Sequence, residues 1–194
     1  MAKELVTAPG AEPVSTAEAK LHCRIDHSTE DAYVSALITA ARETVEAWTN
    51  RALVSQTWKA YYPKFGHLIL PKPKAISVTH VKWYDTTDTA QTIAASIWDA
   101  DLVSEPAYIT LAYQQQWPVV TARTTLPIEV QFVCGYTDAA SVPNSIKQAM
   151  LLLIGHWYQN REDVLVGERG QQESAILKTG AFRLLDNYTV KGTE

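Results

Sequence analysis

Two cysteines in 194 residues, no long apolar run and no excess of basic residues set the first limits on this chain. Cys23 and Cys134 stand far apart and outside any CxxC spacing. Neither a zinc site nor a disulfide framework is indicated, and both are expected to be reduced, buried thiols in a cytoplasmic product, a bridge between them being the lesser alternative. The longest strongly apolar run, Ala149–Ile154, falls far short of a membrane span. The opening MAKELVTAPGAEPVS carries no apolar h-region, so a signal peptide is not expected. A net charge of -4 argues against a broad basic face that grips nucleic acid. It leaves open a neutral or acidic surface along which DNA slides. A content of 46% hydrophobic and 20% charged residues suits a soluble chain with one core, or one core and a sizeable insertion.

Catalytic signatures are also missing. The five histidines, His22, His27, His67, His80 and His156, are dispersed, and none forms an HExxH-type pair. No GxSxG elbow, Walker A loop or GxGxxG fingerprint occurs. Asp85 and Asp88 read as turn formers, and Glu162-Asp163 as a solvated cluster after Arg161. Six tryptophans and nine tyrosines could stack on single-stranded nucleic acid, but basic residues interleave with them only at Trp58-Lys59 and Lys82-Trp83. Packing and protein–protein contact account for them better. No catalytic residue, metal ligand or cofactor site is assigned. A small enzyme with a pocket in the β region would need His67, His80, Asp85, Asp99 or Asp101 to converge.

What the chain does have is a clear order of elements. Residues 1–14, with Pro9, Gly10 and Pro13, read as an extended arm. Residues 15–55 read as a helical hairpin. Ser15 and Glu18 have capping-box spacing with Val14 as a hydrophobic staple, and this first helix should stop near Asp26-His27. Ser28 and Asp31 repeat the cap logic. Tyr33, Leu37, Ala41, Val45 and Trp48 then make an apolar stripe, which Asn50 should end in left-handed geometry. Residues 56–135 turn to Val, Ile, Thr, Tyr and Trp. QTWKAYYP and ISVTHVKWY alternate, Asp85–Asp88 reads as a hairpin turn, and Ala107–Tyr113 and Ile128–Val133 as further strands. Four to six short antiparallel strands are expected there.

The run Ser141–Asp163, SVPNSIKQAMLLLIGHWYQNRED, is the most distinctive. Pro143 suits a helix start, and Ile146, Ala149, Met150, Leu153 and Trp157 form a stripe. Leu151, Leu152, Ile154 and Tyr158 fill much of the remaining circumference, so the helix must be covered on several sides. Two covers are open: other layers of the same chain, or a neighbouring copy at Leu151, Ile154, Gly155 and Tyr158, with Gly155 permitting close approach. Residues 164–194 follow as a polar loop, Val166–Ser174, and an apolar hook, AFRLLDNY. The fold class is α+β: a helical core with an inserted antiparallel sheet and an extended C-terminal tail.

In sequence and spacing, VSTAEAKLHCRID, AARETVEAWTNRAL, VSQTW, LILPKPKAISVTHVKWYDTTD, IEVQFVCGYTDAASVPNSIKQAMLLLIGHWYQNRE and AFRLLDNY together resemble the head–tail connector (adaptor) proteins of long-tailed double-stranded DNA bacteriophages and prophages. Coverage runs from about Val14 to Tyr188, loosely over Gln91–Leu126; Lys178-Thr179-Gly180 departs from the family's Pro-Gly element before the hook. The resemblance implies a non-enzymatic neck component of the virion, assembled in the bacterial cytoplasm as a ring, typically of twelve copies. Its implied partners are other copies of itself, the portal protein, and a stopper or tail protein, with DNA passing through the ring without sequence-specific binding and no membrane. It also implies a portal-docking hook, carried here by Phe182, Arg183, Leu184, Leu185 and Tyr188. Removal of residues 180–194 is accordingly expected to spare the fold. A stopper or tail-completion protein of the same neck is the nearest alternative.

Overall fold

The computed structural model describes residues 1–161 and 180–190. The loop expected at Val166–Ser174 and the acidic pair Glu162-Asp163 lie outside them. The α+β class holds. The chain divides into a sheet unit, Met1–Gly10 with Val54–Thr137 and Val190–Glu194, and a helical unit, Ala11–Leu53 with Asp138–Thr189.

The sheet unit contains eight strands among the described residues: β1 Ala2–Thr7, β2 Gln56–Tyr62, β3 Leu68–Ile69, β4 Ala75–Tyr84, β5 Ala90–Thr92, β6 Trp98–Asp101, β7 Tyr108–Leu111 and β8 Ile128–Cys134. Five form an antiparallel sheet in the order β1-β2-β8-β4-β5, and three form a second in the order β3-β7-β6. The strand count exceeds the sequence expectation because β3, β5 and β6 are too short for alternation to show. The segment expected as an extended arm supplies β1, with Lys3 opposite Ala60 and Glu4 opposite Lys59. One face of the large sheet buries Ala60, Val81, Ile128, Val130 and Phe132. Asp85 closes the β4–β5 hairpin as expected, its carboxylate accepting the backbone N–H groups of Thr87 and Thr89. After β8 the chain turns at Gly135 with φ of +109°, where an added Cβ would lie 2.4 Å from the Val54 carbonyl oxygen. Only glycine fits that turn.

The helical unit packs α1 Thr16–Cys23, α2 Asp31–Thr49 and α3 Asn144–Gln159 against one another. The Ser15–Glu18 capping box forms in both directions, and Val14 is buried beside it. Helix α1 stops earlier than expected, because Arg24 adopts a left-handed C-cap whose N–H bonds back to Leu21. Ser28 does not cap α2; its carbonyl accepts Asp31 N–H while Glu30 holds the N-cap position without a side-chain cap bond. Asn50 ends α2 in the left-handed region, as its side-chain chemistry favours. Helix α3 starts after Pro143 and is shorter at both ends than the apolar run suggests.

Candidate functional site

Of the residues that a pocket in the β region would need, His67 and Asp101 both contact Tyr108, while His80 and Asp85 are engaged by other partners. His80 Nε2 lies 3.0 Å from Glu129 on the large sheet. His67 stacks on Tyr108, with centroids 4.3 Å apart. Asp99 accepts the N–H of Ala100. Asp101 accepts the Ser104 hydroxyl and the N–H groups of Ser104 and Val103, which hold its carboxyl down at about 2. Asp101 is engaged by the turn that follows it and by the Tyr108 hydroxyl, whereas Asp99 bonds only within β6 among the contacts described. Among the described residues no group of three or more His, Cys, Asp and Glu is placed to hold a metal ion. Cys23 and Cys134 are both thiols, with no disulfide between them. Desolvation raises the Cys23 thiol above its ordinary range, which makes it a poorer nucleophile.

Sequence reasoning missed the sheet's polar cluster. Glu129 on β8 is enclosed although it points away from the apolar face. It accepts the Tyr84 hydroxyl at 2.7 Å and lies 3.3 Å from Lys59 Nζ. Burial alone would raise its carboxyl, but His80, Tyr84 and Lys59 outweigh that and hold it below the ordinary value. The same bond raises the Tyr84 hydroxyl to about 12. The arrangement zips β2, β8 and β4 together.

In the helical unit, the structure separates the candidate surface residues. On α3, Ile146, Ala149, Met150, Leu153 and Ile154 are enclosed by their own chain, while Leu151, Leu152 and Trp157 remain half-buried. Ile154 therefore offers no side chain to a neighbour. The space over Gly155 is taken by the His22 ring, which an added Cβ would approach to 3.2 Å. Tyr158 donates its hydroxyl to Glu30, whose other oxygen accepts from Arg161. The Arg161 guanidinium lies over the Tyr33 ring at 4.8 Å and the Tyr158 ring at 5.3 Å. This clamp fixes the end of α3, and no local sequence signal could have paired Glu30 with Arg161.

The C-terminal hook is a helical turn over 180–183 followed by a short 3-10 turn, Asp186–Tyr188. It is not a free tail. Ala181 and Leu185 are fully buried, and the Phe182 ring packs on Trp48 with centroids 4.4 Å apart. The Arg51 side chain donates to the Tyr188 carbonyl. Trp48, expected on the core stripe of α2, is instead 51% exposed and serves as the platform for Phe182. Of the five hook residues expected to dock, Arg183 and Leu184 are turned outward, the latter 36% exposed, as are the adjoining Asp186 and Asn187. The expectation that residues 180–194 can be removed without cost to the fold therefore fails at Ala181 and Leu185.

A helical hairpin, a long third helix, a packed hook and a large antiparallel sheet define the protein as a member of an architecture seen in solved neck structures of phage-like particles. A chain in the virion of a native gene transfer agent (GTA) particle superposes with a TM-score of 0.78 at 22% identity, over 100% of this chain and 98% of that one. A chain in the neck of the empty GTA particle with C6 symmetry gives 0.77 at 22%, with the same coverage. A chain in the neck of the native GTA particle with C12 symmetry gives 0.70 at 23%, again over 100% and 98%. No curated protein matches the sequence. The family model of the head completion protein matches residues 14–180, and the chain belongs to that family.

Proposed function

We propose that the chain is a non-enzymatic structural adaptor in the neck of a phage-like virion. Copies form a ring, joining the portal to a stopper or tail protein and surrounding the DNA channel. The observation that carries this reading is the head completion family match over residues 14–180. The shared fold with chains of GTA necks, one computed with C6 and one with C12 symmetry, supports assembly as a ring, and twelve copies is the number proposed. A net charge of -4 suits a conduit that must not hold phosphates. The portal-facing surface is the outward side of the hook, Arg183 and Leu184, while Phe182, Leu185 and Tyr188 seat it on the helical unit. Of the α3 positions considered for the lateral contact, Leu151 and Tyr158 remain half-buried, so that reading narrows to these two, with the Tyr158 hydroxyl already engaged by Glu30.

Co-sedimentation with purified portal rings tests the docking face. Leu184→Asp combined with Arg183→Glu should abolish co-sedimentation and leave the far-UV circular dichroism melt unchanged, because neither side chain is core. Retained binding in that variant would overturn the assignment. Electron microscopy of the particle separates adaptor from stopper: density for this chain directly against the portal supports the first, density one ring further away the second.

A further inference from the structure

Among the described residues, the sheet unit leaves one long strand edge without a partner. β1 is the outermost strand of the five-stranded sheet and pairs only with β2. All six of its residues are exposed, with Leu5 at 43% and Val6 at 46%. The free N–H and C=O groups of such an edge are a template for another chain, and natural sheets usually blunt it. Here the blunting is partial. The ladder slips between Leu5 and Thr7, and Lys3 and Glu4 sit mid-strand, yet the apolar side chains stay open to solvent.

A recess of about 650 Å3 begins at the same strand. It is lined by Glu4 on β1, Tyr61 on β2, Thr86 and Asp88 of the β4–β5 turn, and Arg123 and Leu126. Asp88 is paired with Arg123 at 2.9 Å. The Glu4 carboxylate accepts the Tyr61 hydroxyl at 2.8 Å, and among the described residues no salt bridge reaches it. Lys59, opposite Glu4 across the ladder, is engaged by Glu129 at 3.3 Å, and the recess lining sets two carboxylates, Glu4 and Asp88, against one cation, Arg123, so its net charge is negative on the edge-strand side. A lysine or arginine side chain entering from that edge would complement it.

We propose that the β1 edge receives an extended segment of a different neck protein as an added strand, with a lysine or arginine of that segment seated against Glu4. The proposal rests on the neck reading above. In this mode main-chain bonds supply affinity and a side-chain recess supplies specificity. A second copy of this chain fits the edge less well. Two β1 strands meeting about a two-fold axis must set residues of the same face opposite one another. Centred on Glu4, that register opposes two carboxylates; centred on Leu5, it falls on the slip in the ladder. Pairing with a neighbour's β5 would engage only three residues.

Site-specific photo-cross-linking in assembled particles tests this. p-Benzoylphenylalanine is incorporated at Val6, and in separate particles at Leu184 as a neck control, and adducts are identified by mass spectrometry. The Val6 probe should give an adduct with one different neck protein, at a segment bearing lysine or arginine. Glu4→Lys should lower its yield by at least about tenfold through like-charge repulsion, with incorporation of the chain unchanged. Adducts only with other copies or with DNA, no adduct from Val6 in particles that contain the chain, or a Val6 yield insensitive to Glu4→Lys would overturn the proposal. Failure of the neck reading looks different: the chain would be missing from the particles altogether, and the Leu184 probe would capture no neck protein.

Discussion

Replacing Arg42 by methionine should destabilise the helical unit strongly at neutral pH and only weakly in mild acid. The Arg42 side chain is 8% exposed and reaches three carboxylates: Glu12 at 2.9 Å, Glu46 at 3.0 Å and Glu43 at 3.4 Å. Glu43 is largely exposed and contributes little. Glu46 decides the magnitude, being 11% exposed while its other oxygen accepts the N–H of Leu53 at 2.8 Å. Removing the guanidinium breaks the Arg42–Glu46 pair while Glu46 stays inside the fold, and breaking a buried pair in this way typically costs about 3–5 kcal/mol. Neutralising the carboxyl sets a ceiling: with an ordinary pKa of about 4.3, protonation costs roughly 3.7 kcal/mol at pH 7 and about 1 kcal/mol at pH 5. The expected loss relative to the wild type is therefore about 3 kcal/mol at pH 7, shrinking to about 1 kcal/mol at pH 5. Urea unfolding followed by circular dichroism at 222 nm, which reports the helices, measures both. Adding Glu46→Gln removes the charge that faced Arg42 but keeps an acceptor for Leu53, and should recover part of the loss. An equal loss at the two pH values, or no recovery in the double variant, would refute the reasoning.

Three further outcomes follow from single positions. Leu185→Ala should cost about 2–4 kcal/mol by emptying a fully buried site, whereas Leu184→Ala next to it should stay within about 0.5 kcal/mol; thermal melts compare them. Gly135→Ala should cost at least about 1–3 kcal/mol from backbone strain alone, with the 2.4 Å approach to Val54 added, and should show as lost soluble yield and a lower Tm. Glu129 is held below its ordinary pKa, so its stabilising contribution is full above the unfolded value and is lost as pH falls through the folded one. Glu129→Gln should accordingly be less stable than the wild type at pH 7, and the gap should close as both are titrated into acid.

Features set by neighbouring residues were legible in the sequence. The Ser15–Glu18 box, the Asn50 cap, the Asp85 turn and the alternation of β2, β4 and β8 each follow from a few adjacent positions. Features set by register or by distant pairing were not. Arg42 and Glu46 look like an ordinary surface pair at i,i+4, and only the packing of residues 12 and 53 against them makes the pair internal. Glu129 alternates as an outward residue should, and it is enclosed because strand register brings Lys59, His80 and Tyr84 around it. Ala2–Thr7 carries little alternation and precedes Pro9, so the sequence reads as an extended arm, and only its pairing with β2 makes it an edge strand.

The same distinction changes where surfaces for assembly are to be sought. An apolar residue on a rich helix is weak evidence for an interface, because the chain's own layers compete for it. On α3 that competition takes Ile154 completely, fills the space over Gly155 and engages the Tyr158 hydroxyl. In the hook it takes Ala181 and Leu185 and turns Arg183 and Leu184 outward. A strand edge is stronger evidence, since its backbone groups have no intrachain solution once the sheet ends. β1 meets that criterion with Leu5 and Val6 still exposed, which makes it a more demanding test of assembly than the greasier helix that first attracts notice.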